Sequence, residues 1–329
     1  MDSLTIGVAL ITYNGIKYLP QQLESIATQT RPVHHIVISD DRSTDGTWAF
    51  LEAWAAQAPM RVTLIRNETQ LGLGRNFEQA IKAVDADIIF TSDQDDVWVP
   101  ERVALLTQVF DEAPDVLLVH TDAILVDAAG RDLGTTLLGE LELSHAERAA
   151  IHAGQAFTVY CRRNVVTGAT VAIRRSLLRL ALPFPAGTFH DAWLALLASA
   201  TGAVRLLELP TIHYRQHGNN LVGVKKRSAW LKLRHLLWQL KGPAQLRVMI
   251  EDNIASHTIL HERLRGCADT APAALAFSAR SLAFYRARAA LPGSALARLR
   301  AVLRSLAAKR YATFSYMPWT DAIRDIVRK

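Results

Sequence analysis

Apolar and polar positions follow two rhythms through the first 120 residues. Short runs at 4–11, 36–39, 62–65, 88–91 and 116–120 are dense in Val, Ile and Leu and read as buried strands. The segments between them carry apolar residues at helical spacing. Leu19, Leu23 and Ile26 share one face; Ala49, Leu51, Trp54 and Ala55 crowd a second. Phe77, Ala80, Ile81 and Val84 mark a third, and Val103, Leu106, Val109 and Phe110 a fourth. Strand and helix alternating at this spacing predict an α/β fold with a mostly parallel sheet flanked by helices. Ligands of such sheets bind outside the carboxyl ends of the strands. Thr12-Tyr13-Asn14, Asp40-Asp41 and the stretch from Asp93 to Asp96 fall at those ends, so they are expected to converge in space.

The pattern changes after residue 120. Residues 127–134 read as a turn between strands, and 137–153 as a weakly helical region, a mobile loop or an acceptor-side element. Residues 164–173 are strand-like, with Gly168 inside them, a position that suits close approach of a ligand or of backbone. A helix is expected at 191–200 and a strand at 204–208. From residue 225 the chain turns helical and basic, which places a boundary near 222: a catalytic domain at 1–222 and a basic helical extension at 223–329.

Charge sharpens that division. The net charge of +6 combines 17 Lys+Arg against 25 Asp+Glu in residues 1–224 with 20 against 6 in residues 225–329. A basic final third on an acidic body suggests an anionic surface as partner. Residues 225–241 read as a basic amphipathic helix, with Trp230, Leu233, Leu237 and Leu240 on one face, fit either for a membrane interface or for packing in a core. With no aromatic-basic recognition module in view, nucleic acid is not expected as a partner. No run approaches the roughly 18 apolar residues of a spanning helix. Met1-Asp2-Ser3 carries no basic leader, and the apolar run after it reads as a strand. Cys161 and Cys267 lie far apart, in no metal-ligand spacing, which suits a reducing compartment. The expected location is therefore cytoplasmic, peripheral on the inner face of the membrane where the basic segment engages it.

The candidate chemistry centres on Ser92-Asp93-Gln94-Asp95-Asp96-Val97-Trp98. Carboxylates crowded at the end of a buried strand repel one another, and a hard divalent cation is the usual remedy. Such a cation often bridges to substrate phosphates, which points to a diphosphate substrate. The plainer alternative is an acidic loop that caps the helix starting near Pro100. Ser43 and Asp45 read as caps of the second helix. Gly72-x-Gly74 fails as a dinucleotide fingerprint, because Phe77 stands where a third small residue is needed.

Four segments carry a resemblance: residues 9–15 (Ala-Leu-Ile-Thr-Tyr-Asn-Gly), residues 38–47 around Asp40-Asp41, Gly72-Leu73-Gly74-Arg75-Asn76, and the Asp-x-Asp run Asp93-Gln94-Asp95. In order and spacing the chain resembles a family 2 glycosyltransferase of the GT-A fold, a Rossmann-like nucleotide-diphospho-sugar transferase, over roughly residues 4–220. With His190-Asp191-Ala192-Trp193 and Tyr214-Arg215-Gln216-His217-Gly218-Asn219-Asn220, the 92–98 segment further resembles bacterial rhamnosyltransferase-like members, which build O-antigens and related polysaccharides. The resemblance implies an inverting transferase. Its donor would be a dTDP- or UDP-linked sugar, with dTDP-rhamnose a candidate, and its acceptor a glycan or lipid-linked glycan. Thr12, Tyr13 and Asn14 would line the nucleotide pocket, and Asp40 would face the base. Arg75 and Asn76 would sit near base or phosphates, and Asp93 near ribose or sugar. Arg215 would offset leaving-group charge, while Asp95 and His217 would hold Mg2+ or Mn2+. Asp191 matches the catalytic base, although its position before a helix also suits a cap. His190 and Trp193 are candidate acceptor contacts, and His190 equally suits a packed histidine. The rivals are a sugar-1-phosphate nucleotidyltransferase, against which Thr12-Tyr13-Asn14-Gly15 stands in place of a basic Gly-rich loop, and an inactive glycan-binding subunit.

Overall fold

The computed structural model describes residues 3–217 and 243–328. The expected 225–241 helix and the Gly218-Asn219-Asn220 loop lie outside the described residues. The chain divides into two compact units: Met1–Phe157 with Asn164–Val224, and Thr158–Arg163 with Lys225–Lys329. The segment 158–163 therefore groups with the second unit, although it lies far from it in sequence.

The first unit opens as the hydrophobic pattern predicts. The elements are β1 (Ile6–Thr12), α1 (Leu19–Ala27), β2 (His35–Asp40), α2 (Thr47–Ala55), β3 (Arg61–Arg66), α3 (Leu73–Ala83) and β4 (Ile88–Ser92). There follow β5 (Val97–Trp98), α4 (Arg102–Glu112), β6 (Val116–Val126), β7 (Asp132–Thr136), α5 (Leu137–Glu140), α6 (His145–His152) and α7 (Ala156–Tyr160). Last come β8 (Val171–Arg174), α8 (Leu178–Ala181), α9 (His190–Thr201) and β9 (Ala203–Arg215). One sheet runs in the order β3-β2-β1-β4-β8-β6-β9-β5, with β7 paired to β6. Strands β3, β2, β1 and β4 are mutually parallel, and β6 is parallel to β9. Only β8, β5 and β7 run against their neighbours.

Every residue of β1, β2 and β4 is buried, as expected of strands covered on both faces. Ile6, Val8, Leu10, Ile36, Ile38, Ile88 and Phe90 join Leu19, Leu23 and Ile26 of α1 and Val103, Leu106 and Phe110 of α4 in one core. The expected 137–153 region resolves into α5 and α6. Ser144 and Glu147 close a reciprocal capping box at the start of α6.

Strand direction places the site. Parallel β1, β2, β4, β6 and β9 all end at one edge, at Thr12, Asp40, Ser92, Val126 and Arg215. Antiparallel β8 begins at that same edge, so Gly168, just before Val171, also arrives there. A buried cation stitches the strands from beneath. Arg102 is fully buried and donates to Thr211 Oγ1 on β9, and to the Ala169 carbonyl at 3.0 Å. Its guanidinium lies over the Trp98 ring, 4.8 Å from the centroid. Burial lowers its pKa to about 9, so it remains charged at neutral pH. Replacing it strands hydroxyl and carbonyl acceptors in the core. Arg102→Met should therefore cost about 2–4 kcal/mol of unfolding free energy by urea titration. A loss below about 0.5 kcal/mol, the level of an ordinary surface change, would show that Arg102 does not bind the sheet together.

The second unit is helical: α10 (Pro243–Arg265), α11 (Pro272–Ala289), α12 (Ala295–Ala307), α13 (Arg310–Phe314) and α14 (Pro318–Val327). Phe277, Phe284, Tyr285, Tyr311 and Phe314 form its aromatic core, with Phe284 and Tyr311 edge to face at 5.2 Å. Among the described residues no helix is long and apolar enough to cross a membrane.

Candidate active site

A cavity of about 1110 Å³ opens at the carboxyl edge of the sheet. Thr12, Tyr13, Asn14, Asn76, Asp93, Asp95, His190, Asp191 and His217 all line it. Most of the residues singled out in the sequence thus meet in one place, from segments more than 200 positions apart.

The loop after β1 is fixed by side chain to backbone bonding. Gln94 accepts from the Tyr13 amide through Oε1 at 2.9 Å and donates Nε2–H to the Tyr13 carbonyl at 2.9 Å. This amide clamp ties the first loop to the acidic run. A Cβ on Gly15 would fall 2.0 Å from Gln94 Oε1, so any larger residue there would push the Gln94 side chain out of this clamp. Asn14 turns at φ 47°, and its side chain accepts from the Thr44 amide at 2.8 Å. Tyr13 is left exposed on the cavity rim.

The two adjacent carboxylates at the end of β2 have different fates. Asp40, expected to face the base, does not line the cavity. It is fully buried and accepts from Thr12 Oγ1 at 2.8 Å and from the Ser43 amide at 2.9 Å. Asp41 lines the cavity instead and accepts from the Leu71 and Gly72 amides at 2.7 and 2.9 Å, holding the loop before α3. Ser43 is consumed by Asp40 and by the Asn14 amide, so it does not cap α2, whose N-cap is Gly46. Asp45 does reach the Thr47 amide, at 3.1 Å.

The acidic run supplies the metal-type donors. Asp95 Oδ2 lies 2.7 Å from His217 Nε2, and the His217 ring stacks on Tyr18 at 5.1 Å. Arg215 stands behind them rather than in the cavity. Its Nε donates to the Asp95 carbonyl at 2.8 Å, Nη2 to Gln21 Oε1 at 2.8 Å, and its guanidinium covers Tyr18 at 4.8 Å. Its position corrects the expectation of a cation facing the leaving group: Arg215 braces Asp95. Lys17 and Tyr18 line the cavity and were missed in the sequence, since a Lys-Tyr pair before a helix carries no distinctive pattern.

Asp191 lies in the first turn of α9, two residues after the Phe189 N-cap, so it is not the cap. Its Oδ2 accepts from the Gly168 amide at 2.9 Å, and its Oδ1 from Asn164 Nδ2 at 3.2 Å and the Ala192 amide at 2.6 Å. The carboxylate is thus aimed by the loop before β8. Gly168 permits the approach: a Cβ there would meet His190 Nε2 at 2.5 Å. His190 is buried and stacks on Phe77 at 3.8 Å, and burial lowers its pKa. Trp193 does not reach the cavity. It is buried, with Nε1 donating to the Ala181 carbonyl at 2.9 Å, so it is a packing residue and not an acceptor contact. Arg75 lines a smaller neighbouring pocket with Phe184 and Phe189, paired to Glu78 at 3.3 Å. His213 is a strand residue opposite Val97 and Ile124.

Negative charge dominates the electrostatics. Burial, then Asp95 and Asp191, push the Asp93 carboxyl up to about 8. Asp96 is raised well above the carboxylate range by burial, then by Asp95 and Asp93. One of its oxygens has no hydrogen-bond partner among the described residues. The Tyr214 hydroxyl is raised by burial and then by Asp96, Asp93, Asp95 and Asp191, which places it in the field of all four. A carboxyl whose pKa is higher in the folded chain than in the unfolded one favours folding at low pH, and that contribution is lost as pH rises from about 4 through about 8. Without divalent cation at pH 7.5, Asp93→Asn should therefore be more stable than the parent by about 1–2 kcal/mol, discounted because water reaches the cavity wall. The gain should vanish towards pH 4, where the acid is protonated folded or unfolded. Thermal melts across that range decide it, and a destabilised Asp93→Asn at pH 7.5 would contradict the repulsion.

Known proteins share sequence and fold with this chain. The chain is 28% identical over 222 residues to the dTDP-rhamnosyl transferase RfbG of Shigella flexneri, covering 65% of this chain and 73% of that protein. It is 26% identical over 220 residues to the uncharacterized glycosyltransferase alr2836 of Nostoc, covering 66% of each chain. A shorter stretch of 117 residues is 30% identical to the abequosyltransferase RfbV of Salmonella typhimurium, 35% of each. The fold is that of S. aureus TarS 1-349, solved in complex with UDP-GlcNAc: TM-score 0.58 at 16% identity, over 98% of this chain and 90% of that one. The sequence profile of glycosyl transferase family 2 matches residues 8–180, more than half of the chain, from β1 into α8. With the GT-A sheet, the ordered polar edge and this match in hand, the chain belongs to glycosyl transferase family 2.

Proposed function

We propose that this protein transfers a sugar, with inversion, from a nucleoside diphosphate donor to a hydroxyl of a glycan or lipid-linked glycan in surface-polysaccharide synthesis. The observation that carries the reading is the convergence of Asp93, Asp95, His217 and Asp191 in one cavity with the Tyr13 and Asp41 loops. The donor we favour is dTDP-rhamnose, on the strength of the similar dTDP-rhamnosyl transferase.

The chemistry follows from charge. The acceptor oxygen attacks the anomeric carbon while the bond to the diphosphate oxygen breaks, and the nucleoside diphosphate leaves with the electron pair. The acceptor proton passes to Asp191, whose oxygens are already oriented by Gly168 and Asn164. A single-displacement step of this kind inverts the anomeric centre. The residues present suit a divalent cation. Asp95 and His217 offer one oxygen and one nitrogen donor side by side, within a set of carboxylates that repel one another. Among the described residues no group of three or more His, Cys, Asp or Glu is placed to hold a metal ion, so substrate phosphate and water would have to complete the coordination of Mg2+ or Mn2+. When bound, the ion would neutralise charge on the diphosphate. Arg215 holds the Asp95 backbone in place for this. Tyr13, exposed on the rim, would pack against the base.

Two variants separate the roles. Asp191→Asn should keep donor affinity and lower transfer by at least about 10²–10⁴-fold. Near-normal turnover would remove Asp191 as the base. Asp95→Ala should abolish the cation-dependent part of dTDP-sugar binding in calorimetry with Mn2+, and undiminished binding would remove Asp95 from the cation site. Parent protein that binds donor yet neither transfers nor hydrolyses it would favour the glycan-binding subunit instead.

A further inference from the structure

Helix α14 is inside out. Its charged residues Asp321, Arg324 and Asp325 are buried, while Trp319, Ile323 and Val327 are 73%, 49% and 57% exposed. Their spacing of four places all three within an arc of about 80°. Tyr316 and Met317, just before the helix, are exposed too and lengthen the stripe. The inversion is locked from within. Arg288 donates Nε–H to Asp325 Oδ2 at 2.7 Å and Nη1–H to Asp321 Oδ2 at 3.2 Å. The Tyr311 hydroxyl donates to Asp325 at 2.6 Å, and that of Ser315 to Asp321 at 2.6 Å. Rotating the apolar face inward would expel this network and strand buried charge, at far greater cost than leaving three side chains wet. A contiguous apolar stripe held outward in this way marks a contact surface.

Charge identifies what it contacts. From residue 272 to 328 the only acids are Asp321 and Asp325, and both are buried against Arg288. The exposed charges of that stretch include Arg280, Arg286, Arg300, Arg304, Lys309 and Arg310, and none is negative. Arg163 lies 4.9 Å from the Tyr316 ring at the head of the stripe. Aromatic, aliphatic and cationic groups in this combination suit the headgroup layer of an anionic bilayer. We propose that the Tyr316–Val327 face seats the second unit on an anionic lipid surface. The proposal uses none of residues 225–241 and does not depend on the glycosyl-transfer reading.

The test is co-sedimentation of the full chain with vesicles of phosphatidylcholine alone and of phosphatidylcholine mixed with phosphatidylglycerol. The parent should sediment with the mixed vesicles and not with the neutral ones. The triple variant Trp319→Ser, Ile323→Ser, Val327→Ser should lose at least about tenfold in partitioning. Its circular dichroism and melting temperature should be unchanged, since the substituted side chains face solvent. The proposal is overturned if the variant partitions like the parent, if the parent ignores both vesicles, or if it binds neutral vesicles equally well. Lipid-free light scattering that finds a dimer in the parent and a monomer in the variant would assign the face to a second copy and overturn it too.

Discussion

Four carboxylates are forced together at one edge of the sheet, and the first unit is organised around holding them there. Asp93 and Asp95 follow β4, Asp96 is buried behind them, and Asp191 comes from α9. Burial, and after it their mutual repulsion, pushes the Asp93 carboxyl up to about 8 and costs stability at neutral pH. A fold tolerates such a cluster when the same charges do something once a ligand arrives. Here a cation and a diphosphate would convert repulsion into binding, the opposite of what a merely stable loop would require.

The surrounding structure bears on that cluster at several points. Arg102 clamps β9 and the segment before β8 from below, and Arg215 fixes the Asp95 carbonyl. Gln94 links the acidic run to the β1 loop through the Tyr13 backbone. Asp41 holds the approach to α3 through two amides. Gly168 lets His190 and Asp191 come within contact of its backbone. Arg102 serves the stability of the sheet beneath the site, whereas the others touch neighbours of the site and set its geometry, so substitutions at those are expected to act on positioning more than on folding.

Much of this was legible before any coordinates. Strands β1 to β4 and the helices between them follow from hydrophobic spacing, and their shared direction predicts that residues 12–14, 40–41 and 93–96 meet. What spacing cannot give is which side of a strand end faces the ligand. Asp40 and Asp41 are adjacent, successive side chains point to opposite faces, and only the register of β1 against β2 decides that Asp41 is the one outward. Trp193 was misjudged for a related reason: it is an apolar residue of a helix whose first turn alone reaches the cavity. The resemblance implies that Arg215 offsets leaving-group charge, but its three-way bonding to two carbonyls and Gln21 depends on long-range pairing that the sequence does not display. Antiparallel β8 falls at the end of the strand-like run 164–173, but its direction and its insertion between β4 and β6, which carry Gly168 to the site, leave no signature in the sequence. The inverted helix α14 is likewise invisible in sequence. Its periodicity is that of any amphipathic helix, and only the Arg288 network reveals which face is buried.

The most direct test of the central claim is a crystal structure of the protein with dTDP and Mn2+. The account predicts an anomalous peak between Asp95 and His217, in contact with both phosphates, with the base against the Tyr13 and Asp41 loops and Asp191 facing the open end beyond the diphosphate. A nucleotide bound elsewhere, or one seated in the cavity with the metal away from Asp95 and His217, would contradict it.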